Sequence, residues 1–171
     1  LPVIKQRLSE LESPLLQKLQ EAIDPLTDCG IDSVALSETE ADTLHTTPYR
    51  SYPSGVTATA SKRHEYLRWA ESRDAIIIED DFDSEFSGLT KREDTVFSLS
   101  DKENVIYMNT FSKTIAPSIR MDYMVIPQKL MQDFNEKAGF YSCTVSVLEQ
   151  LIVAEFIDSG DFERHLNRTR R

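Results

Sequence analysis

Three side chains that come shortly after apolar runs are of the types that hold an aromatic, phosphorylated cofactor. They are Asp80, Lys113 and, a little beyond the lysine, Arg120. A lysine amine is a nucleophile that forms Schiff bases with aldehydes. A carboxylate beside a pyridine nitrogen keeps that ring protonated and electron-withdrawing, and the planar fork of arginine binds phosphate. Together these residue types predict a site for pyridoxal 5′-phosphate (PLP).

Two hydroxyl side chains next to the lysine, Thr110 and Ser112, can add hydrogen bonds to a phosphate. Each of these residue types, taken alone, also has an ordinary explanation. A lysine after a strand is usually a surface amine, an aspartate at a strand end often caps a helix, and an arginine is usually solvated or paired. The prediction therefore depends on whether the fold brings all of these side chains to one place.

Short apolar runs alternate with helical patterns along most of the chain. The predicted strands are 43–47, 75–78, 105–108 and 121–126, and the predicted helices are 61–72, 128–137 and 145–159. This alternation is typical of an α/β fold with a mostly parallel sheet flanked by helices. We expect Ser61 to cap the first helix and Gly160 to end the third. Ligands of such sheets bind beyond the carboxyl ends of the strands, where the segments after the strands meet.

The first part of the chain differs from the rest. Residues 3–20 carry a helical pattern of apolar residues interrupted at Pro14, and residues 21–42 contain acidic side chains without any Lys or Arg. We interpret the acidic stretch as a solvated connection. Because the chain starts without Met and ends in an Arg-rich helical pattern, we expect it to be a segment of a longer protein.

Length and composition narrow the classes of protein. With 171 residues, 40% of them hydrophobic, the chain is long enough for one domain with a buried core. A net charge of −10 argues against direct binding of a nucleic-acid backbone by these residues. No apolar run approaches the roughly 18–20 residues that a transmembrane helix needs. The two cysteines fit a reducing compartment, so we expect a cytoplasmic protein.

Several runs of the sequence, in order, match a known family. They are YPSG at 52–55, IIIEDDFDSEF at 76–86, VIYMNTFSK at 105–113, APSIRMDY at 116–123 and EFIDSG at 155–160. The chain resembles the fold type I PLP-dependent aminotransferases. Within them it is most similar to the aminotransferase-like domain of MocR-type regulators, a branch of the GntR transcription factors. The resemblance extends from about Ile31 to the end of the chain, with a fainter match at 3–11.

The resemblance implies a role for each candidate residue. Lys113 would be the lysine that forms the Schiff base with the cofactor. Asp80 would be the partner of the pyridine nitrogen, and Arg120 would bind the phosphate together with Thr110 and Ser112. We therefore expect PLP as the cofactor and no metal ion.

Further positions near the cofactor follow or depart from the family pattern. Tyr52 stands near the cofactor's 3-hydroxyl, where an aromatic residue is common in the MocR-like branch. Phe82 stands where the family usually has a tyrosine, so the hydrogen bond from that hydroxyl to the cofactor should be missing. Asp122 stands where a small residue is usual, and a pair with Arg120 would weaken phosphate binding. These departures bear on transamination more than on the fold.

The resemblance also implies partners and further domains. Residues 1–171 would form part of the large cofactor domain, while a DNA-binding winged-helix domain and a C-terminal small domain would lie outside them. We expect an amino acid or amine as the effector, a homodimer, DNA binding only through the attached domain, and no membrane. Cofactor binding by these residues alone should be weak or absent.

Three alternatives remain open from the sequence. The protein can be an aminotransferase, in which Lys113 also moves a proton during the reaction. It can be a metal-dependent transferase that uses the acids Asp80, Asp81, Asp83 and Glu85, although strand alternation would point them in different directions. It can also be a domain whose cofactor site has decayed and which only dimerises.

Overall fold

The computed structural model describes most of the chain beyond its first segment. The described residues are 26–52, 54–82, 84–86, 94–101 and 103–169. The helix predicted at 3–20 lies outside them, and so does Asp83 of the acidic run.

Strands and helices alternate along the described residues. The strands are β1 (Leu26–Thr27), β2 (Gly30–Ile31), β3 (Thr43–Thr46), β4 (Ile76–Asp80), β5 (Val105–Thr110) and β6 (Asp122–Val125). The α-helices are α1 (Ser33–Glu38), α2 (Ala60–Arg73), α3 (Val96–Leu99), α4 (Phe111–Thr114), α5 (Met131–Ala138), α6 (Val147–Asp158) and α7 (Asp161–Thr169). Short 3-10 helices occupy Ser84–Phe86 and Gln128–Leu130. None of the helices in the described ranges is both long and apolar enough to cross a membrane.

Strands β3 to β6 form one sheet in the order β3-β4-β5-β6. β3, β4 and β5 run parallel, and β6 runs antiparallel to β5. This arrangement confirms the predicted α/β fold with a mostly parallel sheet. The carboxyl ends of the three parallel strands and the start of β6 therefore lie at one edge. At that edge Asp80 is in register with Met108, and Thr110 is in register with Asp122.

One face of the sheet packs against α2 and α3. Ile77 of β4 and Val105 of β5 are completely buried there, because branched apolar side chains pack well between a pleated sheet and a helix. The helices add Tyr66, Leu67, Trp69, Ala70 and Val96 to the same cluster. This packing holds β4 and β5 side by side, together with the segments that follow them.

The helix ends agree only in part with the sequence patterns. Thr59 caps α2, because its side-chain oxygen accepts the N–H of Lys62 at 3.3 Å and its backbone is extended. The prediction of Ser61 as the cap is therefore wrong, since Ser61 already lies in the first turn. Gly160 follows α6 with φ of 73° and ends that helix as predicted.

Part of the acid-rich stretch forms regular structure. β1 and β2 pair as an antiparallel hairpin, and α1 follows them. Asp32 caps α1 by accepting the N–H groups of Val34 and Ala35. The other acids of this part, Asp28, Glu38, Glu40 and Asp42, are exposed, which agrees with a solvated surface, although the backbone between them forms a hairpin and a helix.

We expect Gly30→Ala to destabilise the fold. Gly30 has φ of 132°, and a Cβ atom there would lie 2.5 Å from Oη of Tyr66, which accepts the N–H of Ile31. Backbone strain and steric overlap together should lower the free energy of unfolding by roughly 1–3 kcal/mol, measured by urea denaturation. Gly55→Ala is the matched control, because Gly55 also has a positive φ but open space around it. Equal losses in both variants would show that contact with Tyr66 contributes nothing.

Candidate functional site

A cavity of about 320 Å³ lies at the carboxyl edge of the sheet. It is lined by Asp80, Met108, Asn109, Thr110, Ser112, Arg120 and Asp122. Four of the seven site residues predicted from the sequence are thus brought together. The strand register explains this, because side chains that are paired across neighbouring strands point to the same face of a sheet.

The predicted lysine lies at the same edge, on the turn of helix that follows β5. Thr110 caps this turn, α4, by accepting the N–H of Ser112 at 3.1 Å. Nζ of Lys113 lies 4.4 Å from the centre of the Phe82 ring, which is a cation–π distance. Phe82 comes two residues after Asp80, so the contact joins the segment after β4 to the segment after β5. Neither Lys113 nor Phe82 is among the residues that line the cavity.

Hydrogen bonds connect α4 to the segment that carries Arg120. Oγ of Ser112 donates to the carbonyl of Ile119 at 2.7 Å, and the N–H of Phe111 donates to the carbonyl of Met121 at 2.9 Å. These bonds fix the position of the arginine segment relative to the turn that carries Lys113.

Asp80 has a neighbour that the sequence did not indicate. Nε2 of His45, on β3, lies 3.7 Å from a carboxylate oxygen of Asp80. The carboxylate is about one-third exposed, so it is accessible from the cavity. A protonated imidazole there would form an ion pair with Asp80.

Tyr52 is not brought into the cavity. Its side chain is 87% exposed in a tight turn closed by the bridge between Ser51 and Val56. Tyr52 is therefore not among the seven residues that line the cavity.

The two acids that flank Asp80 point to the opposite, buried face of the sheet. Glu79 is completely buried and accepts the N–H groups of Val96 at 2.9 Å and Phe97 at 2.8 Å. Asp81 is also completely buried. This follows from strand geometry, since successive side chains alternate between the faces. Within the described ranges, no group of three or more His, Cys, Asp or Glu side chains is arranged to hold a metal ion.

Asp81 is the centre of a buried polar cluster. Its carboxylate accepts the N–H of Ser84 at 3.0 Å, the hydroxyl of Ser84 at 2.6 Å and the hydroxyl of Tyr107 at 2.8 Å. Nδ2 of Asn109 donates to Oη of Tyr107 at 2.8 Å and to Glu85 at 3.1 Å. The sequence signal for this cluster is the alternation of polar and apolar residues in β5, but the partner strand and its register are needed to recognise it.

Burial raises the pKa values of titratable side chains on this side of the sheet. Removal from water raises the pKa of Glu79 to about 7, although the two backbone N–H groups that it accepts oppose the shift. Burial also raises the pKa of Tyr107, and the negative charge of Asp81 adds to the increase. The pKa of Tyr123 is raised by burial and by Glu85.

Solved structures with the same fold are aminotransferases. The kynurenine aminotransferase of Pyrococcus horikoshii, solved in complex with PMP, superposes with a TM-score of 0.76 at 28% identity. The match covers 85% of this chain and 38% of that protein. The described sheet and helices thus correspond to part of an aminotransferase large domain.

Sequence relatives are transcriptional regulators, although no protein-family model matches the chain. The chain is 36% identical over 147 residues to the uncharacterized HTH-type transcriptional regulator YdeL of Bacillus subtilis. This match covers 86% of this chain and 32% of that protein. It is 35% identical over 128 residues to the probable rhizopine catabolism regulatory protein MocR of Rhizobium meliloti. This second match covers 75% of this chain and 26% of that protein. The chain belongs to the aminotransferase-like region of the MocR-type regulators. This confirms the family indicated by the sequence motifs.

The MocR-type chain spans about a third of the length of the curated relatives that it matches. The similarity therefore concerns the region with the aminotransferase fold, and it comprises the sheet edge at which Asp80, Lys113 and Arg120 lie.

Proposed function

We propose that this chain is the PLP-binding, effector-sensing domain of a MocR-type transcription regulator, with Lys113 forming the Schiff base to the cofactor. The observation that carries the proposal is the gathering of Asp80, Thr110, Ser112 and Arg120 around one cavity beside the turn that bears Lys113. Membership of the family and the fold do not by themselves require that this chain has these four side chains at the cavity.

The residues at the cavity fit the chemistry of the cofactor. When bound, PLP supplies an aldehyde for a lysine amine and a pyridine ring that withdraws electrons. The cavity volume of about 320 Å³ lies at the lower end of the range for small-molecule sites. It offers a carboxylate for the ring nitrogen, and a guanidinium and hydroxyls for the phosphate. The kynurenine aminotransferase that shares this fold was solved with PMP, which supports the assignment.

The two hydroxyls differ in what they can donate. The hydroxyl of Ser112 already donates to the carbonyl of Ile119, so it must break that bond to donate to a phosphate. Oγ1 of Thr110 accepts a bond from the N–H of Ser112, which leaves its proton available to a phosphate oxygen. Thr110 and Arg120 are therefore the better phosphate ligands.

The regulatory part of the proposal concerns the whole protein. An amino acid or amine would exchange with Lys113 at the cofactor, and the resulting change would alter DNA binding by a separate domain in the cytoplasm. A homodimer is supported by apolar side chains that are exposed on and before α6, a pattern typical of interaction surfaces. They are Phe140, Tyr141, Val147, Leu148, Leu151 and Ile152.

An aminotransferase is the second candidate, and the likeness to the kynurenine aminotransferase favours it. The two functions differ in what happens after the amine binds. Turnover of an amino donor and a keto acid by the full-length protein would support the enzyme. Effector-dependent DNA binding without turnover would support the regulator.

The direct test is a titration of the full-length protein with PLP, followed by absorbance spectroscopy, borohydride reduction and peptide mapping. We expect an absorbance band of lysine-bound cofactor and a reduced adduct on the peptide that contains Lys113. No band and no adduct at saturating PLP would reject cofactor binding and support the alternative of a decayed site.

We expect Phe82→Tyr to strengthen PLP binding, because the added hydroxyl can donate to the oxygen at the cofactor's 3-position. One such hydrogen bond contributes roughly 0.5–1.5 kcal/mol, or about 2- to 13-fold in Kd, measured by fluorescence titration. Phe134→Tyr, which adds a hydroxyl on the exposed helix α5, is the control and should leave Kd unchanged. An unchanged Kd in both variants would place Phe82 away from the cofactor.

A further inference from the structure

The buried acid that follows Asp80 has no place in the proposed cofactor chemistry. Asp81 lies on the opposite face from the cavity, is completely buried and accepts three hydrogen bonds, from the backbone and hydroxyl of Ser84 and from the hydroxyl of Tyr107. Burial of a carboxylate costs free energy of desolvation, and the three hydrogen bonds that Asp81 accepts offset part of this cost.

These bonds continue from Asp81 to the turn that carries Lys113. Tyr107 accepts a bond from Asn109, and Oδ1 of Asn109 accepts the N–H of Thr110 at 2.6 Å. Thr110 in turn caps α4. A continuous path of hydrogen bonds thus runs from the end of β4 to the first residues of the helical turn after β5.

A second connection starts from the same acid. Asp81 fixes Ser84, and the segment between them carries Phe82, whose ring contacts Nζ of Lys113. The N–H of Asp81 also donates to the carbonyl of Met108 at 2.9 Å. Asp81 is therefore connected to both sides of the contact between the lysine and the aromatic ring: to Phe82 as its neighbour in the chain, and to the turn of Lys113 through Tyr107 and Asn109.

We propose that Asp81 is a positioning residue that sets the geometry of Lys113 through Tyr107 and Asn109 on one side and through the Phe82 segment on the other. Its effect on PLP rests on the function proposed above, whereas its effect on Lys113 does not. In Asp81→Asn an NH2 donor replaces one of the two acceptor oxygens, so the bonds from the N–H of Ser84 and from the hydroxyls of Ser84 and Tyr107 cannot all be kept, and both strand-end segments should shift.

The first test observes Lys113 without any cofactor. Lysines of the full-length protein are reductively methylated with ¹³C, which preserves their charge, and Lys113→Arg assigns the Lys113 resonance in NMR spectra. In the wild type we expect a resonance shifted by the Phe82 ring. In Asp81→Asn and in Tyr107→Phe, which keeps its ring and removes only the hydroxyl, it should move toward the position of exposed lysines.

Glu79→Gln is the matched control, because Glu79 is an equally buried acid of β4 on the same face, but its bonds lead to α3. It should leave the Lys113 resonance unchanged. A wild-type resonance without a ring shift would overturn the proposal, and so would equal spectra of the wild type, Asp81→Asn and Tyr107→Phe.

The second test measures PLP binding by the same variants. We expect Kd to rise about tenfold in Asp81→Asn and less in Tyr107→Phe, with no change in Glu79→Gln. If the wild type binds no PLP while the NMR shifts behave as expected, the cofactor assignment fails and the positioning role stands. If the wild type forms the Lys113 adduct while the chemical shift of Lys113 is the same in Asp81→Asn as in the wild type, the positioning role alone is rejected.

Discussion

Replacing Lys113 by alanine is expected to abolish the covalent PLP adduct, so that neither the absorbance band nor the borohydride-reduced peptide remains. The reason is chemical: only an amine can condense with the cofactor aldehyde, and Lys113 is the lysine on the helical turn beside the cavity. Lys113→Arg should behave in the same way, although it keeps a cation beside the Phe82 ring. The measurement is absorbance and mass spectrometry of the reduced full-length protein.

The matched control for this prediction is Lys129→Ala. Lys129 is exposed and pairs only loosely with Asp74, at 3.5 Å, so this variant should keep the full adduct. An adduct that persists in Lys113→Ala would remove the lysine assignment. Its loss in both variants would point to misfolding, which circular dichroism would reveal.

The second large effect is expected at Glu79. Glu79→Ala removes the acceptor of two backbone N–H groups that begin α3, of which that of Val96 is buried and that of Phe97 is partly buried, and this should lower the free energy of unfolding by roughly 2–4 kcal/mol. Glu79→Gln retains one good acceptor and should lose less. Urea denaturation of both variants and the wild type measures the difference.

The same residue should make stability depend on pH. The pKa of Glu79 is raised from 4.5 to about 7 in the folded protein, so the folded state holds the proton more tightly than the unfolded state. The stabilisation is fully present below pH 4.5 and is lost as pH rises toward 7. The free energy of unfolding should therefore fall across this range, by at most about 1.4 kcal/mol per pH unit.

Glu79→Gln separates this effect from the titration of other groups, because glutamine does not ionise. The stability of the wild type relative to Glu79→Gln should decrease between pH 5 and pH 8. Parallel pH profiles of the two proteins would contradict the raised pKa of Glu79.

The parts of the site that follow apolar runs could be predicted from the sequence. Asp80 and Arg120 flank strands that are recognisable from composition alone, and the rule that ligands bind beyond strand ends then places them together. Tyr52 could not be placed in this way, because it lies in a turn whose direction is set by the bridge between Ser51 and Val56. The prediction that Tyr52 stands near the cofactor's 3-hydroxyl came only from the family resemblance.

The contacts that needed the register of the sheet could not be predicted. The pattern of β5 shows that Tyr107 and Asn109 share a face, but not that Asp81, directly after the neighbouring strand β4, lies beside them. The position of His45 beside Asp80 depends in the same way on the pairing of β3 with β4. The two-residue period along a strand determines which of its side chains share a face. Only the pairing and register with the next strand determine which side chains lie beside them.

The alternation of Glu79, Asp80 and Asp81 between the two faces has an evolutionary consequence. The three adjacent carboxylates have nearly the same chemistry, but exchange of Asp80 should leave folding almost unchanged, whereas exchange of Glu79 or Asp81 removes hydrogen-bond acceptors from the interior. Insertion or deletion of a single residue upstream in β4 would exchange the two faces of the strand, so that Asp80 would be buried and Glu79 and Asp81 would lie on the face of the cavity. Folding should therefore tolerate many substitutions of Asp80 and almost no change in the length of this strand.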